Sequence, residues 1–109
     1  MTEAPVAFRN FIGGQWVEPS TGEYIENRNP ANVSDLIGLF PRSGPDDVDA
    51  AVRSAARGFE QWRRTPAPRR GDVLRRVGDL LAERKEELAR AMTREMGKVT
   101  QEARGDVQE

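Results

Sequence analysis

The sequence predicts a mostly helical α+β fold in which short strands come first and three or four helices follow. Turn-forming Gly, Pro and Asn residues divide residues 11–40 into short apolar runs, which is typical of strands. After residue 45, apolar residues recur at intervals of three and four, which is the period of amphipathic helices. The length of 109 residues predicts a single domain, with residues 1–10 as an extended arm.

Glycine and proline place the first two turns. Gly13-Gly14 suits a type I′ hairpin turn, because both central residues of that turn need a positive φ. Pro19 and Gly22 predict a second turn, since Pro presets φ and Gly tolerates the conformation that closes the turn.

Two more short strands are predicted after these turns, at residues 24–27 and 36–40. Gly38 lies inside the second of them, where glycine is typical of a bulge or of a close approach by another backbone. Short strands of this kind form only a marginal sheet by themselves.

The first helix is predicted to begin at Pro45, with Gly44 as its cap and an end near Gln61. Acidic residues crowd its first turns, where the helix dipole favours negative charge: Asp46, Asp47 and Asp49. Its apolar face is formed by Val48, Ala51, Val52, Ala55, Ala56, Phe59 and Trp62.

A second helical pattern starts after the prolines at 66 and 68, with Thr65 as the expected cap. Its apolar stripe is formed by Val73, Leu74, Val77, Leu80, Leu81, Leu88, Ala91, Met92 and Met96. Because this stripe is long for one helix, a break is expected near Arg84. Gly97 predicts a left-handed end, and a last helix is expected from residues 99–100 onward.

The composition excludes several kinds of chemistry. The chain has no cysteine and no histidine, which excludes disulfides, thiol nucleophiles, histidine general bases and zinc sites built on thiolate or imidazole. It contains neither a GxGxxG fingerprint nor a GxxxxGK[ST] loop. With 32% charged and 37% hydrophobic residues, the chain is expected to complete its core against another surface.

Positive charge is concentrated in the helical part. Residues 53–90 carry eleven basic and six acidic residues, although the formal net charge of the whole chain is -1. Such runs are usual on solvated helix faces. Local surface ion pairs are expected at intervals of three and four, between Glu83, Glu86 and Glu87 and the basic Arg84, Lys85 and Arg90.

The sequence shows no basic leader followed by a long apolar run, and no stretch approaches 18 apolar residues. A cytoplasmic location without membrane contact is therefore expected. Two functional interpretations stay open at this point. One is a standalone helical interaction module that docks its apolar stripe on a partner. The other is a basic-helix nucleic-acid binder, which is disfavoured because the chain as a whole lacks a surplus of positive charge.

A series of short motifs occurs in order along residues 8–109. FIGGQW is followed by NPANVSDLIG, DVDAAV, FEQW, RGDVL, ELA, GK and EARGDV. This order resembles the amino-terminal region of the aldehyde dehydrogenase superfamily. There, F-I-x-G-x-W precedes N-P-A with an I-G, then D-V-D-x-A-V, Phe-x-x-Trp, R-x-x-x-L, E-L-A, G-K and E-x-x-x-E/D-V.

The resemblance implies an amino-terminal fragment of an NAD(P)-dependent oxidoreductase whose parent fold is α/β and Rossmann-like. Residues 1–109 would form the amino-terminal part of its cofactor-binding domain, as an arm at 1–10, strands at 11–40 and helices at 45–109, without the catalytic domain. In the family a cysteine thiolate attacks the aldehyde and hydride passes to NAD or NADP, and these sites come later. The fragment alone is therefore expected to contain no catalytic or cofactor-binding residue, to bind no cofactor and to be inactive.

The resemblance also implies partners and a cation site. The expected partners are the remainder of the aldehyde dehydrogenase chain or a second copy bound through exposed apolar helix faces, and the parent enzyme is expected to be a homodimer or homotetramer. Many members bind a structural monovalent cation through backbone before N-P and a carboxylate before G-K. The matching residues here are Asn27, Arg28 and Glu95, although the family often has Asp at the last position.

Overall fold

A computed structural model describes residues 3–109, and its contacts divide the chain into two compact units. The first unit contains the described residues up to Asn27 together with Leu36–Arg64. The second contains Arg28–Asp35 and Thr65–Glu109, so a loop between two strands belongs with the later helices. Residues 1 and 2 of the expected arm lie outside the described residues.

Four short strands form two two-stranded sheets, in chain order β1 (Asn10–Ile12), β2 (Gln15–Val17), β3 (Tyr24–Arg28) and β4 (Leu36–Pro41). The antiparallel β1–β2 hairpin sets Phe11 opposite Trp16, with the ring centroids 4.8 Å apart. Gly13 and Gly14 have φ angles of 63° and 78°, as a type I′ turn requires. The predicted hairpin is therefore confirmed.

The amino-terminal arm pairs with β4, a contact that the sequence pattern did not indicate. Phe8 N–H donates to the Leu39 carbonyl at 2.8 Å, and Leu39 N–H donates to the Val6 carbonyl at 2.8 Å. The rings of Phe8 and Phe40 stack with centroids 4.6 Å apart. A Cβ at Gly38 would lie 3.0 Å from the Val6 carbonyl oxygen and 2.5 Å from Phe8 Cε2, so the close backbone approach predicted at this glycine is confirmed.

Four helices follow: α1 (Pro45–Trp62), α2 (Ala67–Glu83), α3 (Lys85–Met96) and α4 (Thr100–Gln108). The first begins at the expected position with Gly44 as its N-cap. The expected cap at Thr65 is wrong, because Pro66 has a ψ of 143° and the helical conformation starts only after it. Arg84, with φ −101° and ψ 13°, separates α2 from α3, so the predicted break is confirmed.

Asp47 fastens the beginning of α1 to the turn that precedes β3. Its carboxylate accepts hydrogen bonds from the Ser20 N–H, the Ser20 hydroxyl and the Gly44 N–H, each at 2.9 Å. The residue is only 8% exposed. These donors, the Gly44 N–H first and the Ser20 N–H next, lower the pKa of the Asp47 carboxyl, because they stabilise its charged form.

The second unit has its tightest packing where α3 meets α4. Ala89 on α3 and Ala103 on α4 are both fully buried. Their small side chains allow close approach of the two helices. Within residues 3–109, no large side chain is buried to the same degree. This unit therefore has a small core of its own.

Two of the expected local ion pairs are wrong. Glu83 pairs with Arg76 at 3.5 Å, two turns earlier on α2. Glu86 accepts two hydrogen bonds from Arg104 on α4, at 2.8 and 3.1 Å. A guanidinium that reaches both carboxylate oxygens from a facing helix makes a stronger contact than a neighbour on the same helix. The Glu86–Arg104 pair therefore connects α3 with α4, whereas the Glu83–Arg76 pair stays within α2.

Candidate functional site

The best-defined polar cluster of the second unit lies where the loop 28–35 meets the carboxyl end of α3. Arg94 donates to both carboxylate oxygens of Asp35, from Nε at 2.9 Å and from Nη2 at 2.5 Å. Asn29 Nδ2 donates to the same carboxylate at 3.2 Å. The Arg94 hydrogen bonds, and after them the Asn29 bond, lower the pKa of Asp35 to about 2, so this carboxyl is ionised at neutral pH.

The loop is held in shape by its own backbone. Asn29 N–H donates to the Asp35 carbonyl at 3.0 Å, and Asp35 N–H donates to the Asn32 carbonyl at 2.9 Å. Asn32 N–H in turn donates to the Asn29 carbonyl at 3.1 Å. The Asn29 side chain accepts from the Ala31 N–H at 2.9 Å, which is an Asx turn. The loop therefore behaves as one compact piece.

Two of the three predicted cation residues belong to this unit. Arg28 is the last residue of β3, and its guanidinium donates to the Val33 carbonyl at 3.1 Å. Glu95 is the next-to-last residue of α3 and is exposed, and within residues 3–109 its side chain has no hydrogen bond or ion pair. Asn27 precedes Arg28 in β3 but belongs to the first unit.

The donor set fits a hard cation only through oxygen. Within residues 3–109, no group of three or more His, Cys, Asp or Glu side chains could hold a metal ion. A carboxylate without a protein partner, as at Glu95, and backbone carbonyls, as at Arg28, are the donors that hard cations prefer. Because these donors include a single carboxylate, they carry one negative charge, which matches the charge of a monovalent cation.

Sequence reasoning missed Asp35, Asn29 and Arg94 as parts of this cluster. Asp35 and Arg94 lie 59 positions apart in the chain, so no spacing pattern links them. The turn residues of the loop and the helix ending at Met96 were both predicted from the sequence, but the contact between them was not.

Each unit also carries a helix with an exposed apolar face. On α1 of the first unit, the large apolar side chains are between 39% and 62% exposed: Val48, Val52, Phe59 and Trp62. On α2 of the second unit, four more are between 43% and 64% exposed: Val73, Leu74, Val77 and Leu81. Large apolar side chains exposed along one helix in this way indicate an interaction surface on that helix.

The total accessible surface of the chain is also large for its mass. The chain exposes 8778 Å² to solvent. Two separate compact bodies, each with half of the 12.2 kDa mass, would together expose about 7,300 Å² by the usual scaling of surface with mass. The difference of about 1,500 Å² agrees with the exposed apolar side chains on α1 and α2.

None of the helices within residues 3–109 combines the length and the apolar character that crossing a bilayer requires.

Comparison with known proteins gives one family. Residues 16–109 match the model of the aldehyde dehydrogenase family. The α-ketoglutarate semialdehyde dehydrogenase of Haloferax volcanii is 45% identical over 100 residues, which cover 92% of this chain and 21% of that protein. Malonate-semialdehyde dehydrogenase 2 of Geobacillus kaustophilus is 44% identical over 108 residues, which cover 99% of this chain and 22% of that protein.

Solved structures agree. An NAD-dependent aldehyde dehydrogenase from Sinorhizobium meliloti matches with a TM-score of 0.89 at 29% identity, over 96% of this chain and 21% of that one. A betaine aldehyde dehydrogenase from Staphylococcus aureus, in complex with NAD+, matches with a TM-score of 0.87 at 31% identity, over 93% of this chain and 21% of that one. The chain spans about a fifth of the length of these relatives. It belongs to the aldehyde dehydrogenase family and corresponds to the amino-terminal segment of its members.

Proposed function

We propose that this chain serves as the amino-terminal part of the cofactor-binding domain of an NAD(P)-dependent aldehyde dehydrogenase, which oxidises an aldehyde to a carboxylic acid. The family match over residues 16–109 is the observation that carries the proposal. A matched structure in complex with NAD+ and a matched NADP-dependent enzyme from E. coli support a nicotinamide cofactor for the whole enzyme. Because the 109 residues contain no cysteine, the thiolate that attacks the aldehyde must come from another segment.

The role of this segment is structural. We expect the remainder of the enzyme chain to cover the apolar faces of α1 and α2. This expectation is supported by the large apolar side chains of these helices, which are 39–64% exposed. In this proposal the parent enzyme is a homodimer or homotetramer.

A structural monovalent cation completes the proposal. Asn27, Arg28 and Glu95 would hold it, with oxygen atoms from the end of β3 and from the carboxyl end of α3. When bound, such a cation supplies positive charge that ties oxygen donors from different segments together. The residues of this chain contribute position, and not a chemical step.

A chimera tests the proposal. The 108 residues of this chain that match the Geobacillus kaustophilus enzyme, at 44% identity, would replace the corresponding segment of that enzyme. We expect the chimera to assemble like the natural enzyme and to retain most of its NAD(P)-dependent aldehyde oxidation, measured by absorbance of the reduced cofactor. The separate 109-residue chain, assayed in parallel, should give no turnover.

Two results would count against the proposal. One is a chimera of native oligomeric size and native circular dichroism that has lost activity. The other is aldehyde oxidation by the purified 109-residue chain alone.

A further inference from the structure

We propose that Asp35 and Arg94 are positioning residues for the cation site, because their ion pair fixes the Arg28 carbonyl relative to the Glu95 carboxylate. This inference rests on the proposed function and extends it, since neither residue is among the expected cation ligands. Both partners and both of these ligands lie in the second unit.

The contact between Asp35 and Arg94 has a defined geometry. Arg94 reaches the two oxygens of Asp35 with two different nitrogens, at 2.9 and 2.5 Å. Two parallel hydrogen bonds fix orientation as well as distance, which a single contact does not. The Asp35 side chain is 28% exposed, so the pair is partly shielded from water.

On the loop side, this contact is transmitted to Arg28. The backbone of Asp35 accepts from Asn29 N–H at 3.0 Å, directly after Arg28 in the chain. The Arg28 guanidinium is tied to the Val33 carbonyl of the same loop. Holding Asp35 in place therefore holds the end of β3 in place.

On the helix side, the contact is transmitted to Glu95 through the rigid backbone of α3, since Arg94 immediately precedes it. A second contact lies close by. A Cβ at Gly97 would be 3.4 Å from Pro30 Cγ, which sets the loop against the end of the helix. The two segments that would supply oxygen ligands thus meet at two points.

Because Arg94 is charged, its substitution can distinguish a positioning role from a purely electrostatic one. Electrostatics alone predicts that removing a positive charge next to Glu95 strengthens cation binding. Positioning predicts the opposite, because the loop carrying the Arg28 carbonyl is released. The sign of the effect of Arg94→Gln therefore separates the two explanations.

The experiment uses the full 109-residue chain and Na⁺ as the probe. Thermal melts in sodium chloride and in choline chloride at equal ionic strength are compared, together with ²³Na line width. We expect sodium to raise the melting temperature and to broaden the ²³Na line for the natural chain. Both effects should disappear in Arg94→Gln. The control Arg90→Gln removes an equal charge one turn earlier on α3 and should keep both effects.

Two further variants separate failure of this inference from failure of the cation site. If the sodium effects are lost in Glu95→Gln but kept in Arg94→Gln, the positioning role is overturned while the site stands. If the natural chain shows no sodium effect, or Glu95→Gln leaves it unchanged, the cation site is overturned and the positioning role with it.

Should Arg94→Gln fail to fold, the double variant Asp35→Arg with Arg94→Asp tests the positioning role, because it restores the ion pair with the charges exchanged. Return of the sodium effects supports positioning, and their absence in a folded exchange variant contradicts it.

Discussion

Asp47 shows how one side chain at a helix start organises its surroundings. The residue at the N-cap is Gly44, which has no side chain to satisfy the free N–H groups of the first turn. The carboxylate of Asp47 reaches back to the Gly44 N–H and outward to Ser20. The turn before β3 and the start of α1 are therefore connected through a single carboxylate.

We expect Asp47→Asn to lower the melting temperature, because an amide has one acceptor oxygen where the carboxylate uses two. Asp46→Asn is the matched control, since Asp46 is the exposed neighbour in the same turn. Thermal melts followed by circular dichroism measure both. An equal loss in the two variants would mean that only the helix dipole is involved.

The same pair of variants has a defined pH dependence. The pKa of Asp47 is lowered in the folded chain, so its contribution to stability is complete above the ordinary value of 3.8 and is lost as the pH falls through the folded pKa. The melting difference between the natural chain and Asp47→Asn should therefore be largest near neutral pH and shrink below about pH 4. A difference that stays constant with pH would contradict this assignment.

At the scale of single elements, the residue at the end of a helix determines where that helix stops. Gly97 has a φ of 79° and ends α3, and its N–H donates to the Thr93 carbonyl at 2.9 Å. This is the left-handed conformation that glycine adopts without strain at a helix terminus. The short connection that follows lets α4 pack against α3.

Substitution of two glycines should change stability in opposite directions. Gly97→Ala should destabilise the chain by about 1–2 kcal/mol, because alanine is strained at this φ. Gly105→Ala, within α4 and with open space around the added methyl, should stabilise it by roughly 0.5–1 kcal/mol. Urea unfolding of each variant provides the measurement. Changes of the same sign would show that helix-end conformation is not what limits stability.

For the molecule as a whole, the dominant property is apolar surface left uncovered. Trp62 and Phe59 on α1 are 39% and 58% exposed, values unusual for the large side chains of a closed core. The alanine contact between α3 and α4 is well buried but small. Covering these faces is what we expect the rest of an aldehyde dehydrogenase to do.

The isolated chain should therefore bind the dye 8-anilinonaphthalene sulfonate under native conditions. Phe59→Ser with Trp62→Ser should reduce the fluorescence gain, whereas Arg57→Ser, an exposed polar change on the same helix, should not. Sedimentation measured in parallel detects a second copy that covers the faces. Absence of dye binding by a monomer that unfolds cooperatively would favour a self-contained interaction module.

Local chemistry predicted much of the fold. The hairpin at Gly13-Gly14, the start of α1 at Pro45 and the end of α3 at Gly97 all depend on the backbone preferences of one or two residues. The exception is the start of α2. Thr65 has a preference for the capping position, but Pro66 is the N-cap, with an extended ψ of 143°. The family itself was visible in the order of short motifs, since these preserve the same elements.

What the sequence by itself determined is the set of elements, their order and the apolar faces they carry, because each follows from interactions between residues close in the chain. Only the tertiary structure decided that the arm pairs with β4, that Glu86 joins Arg104, and that Asp35 joins Arg94 across 59 positions. These contacts depend on where the chain returns in space, and no periodicity or turn preference encodes that return.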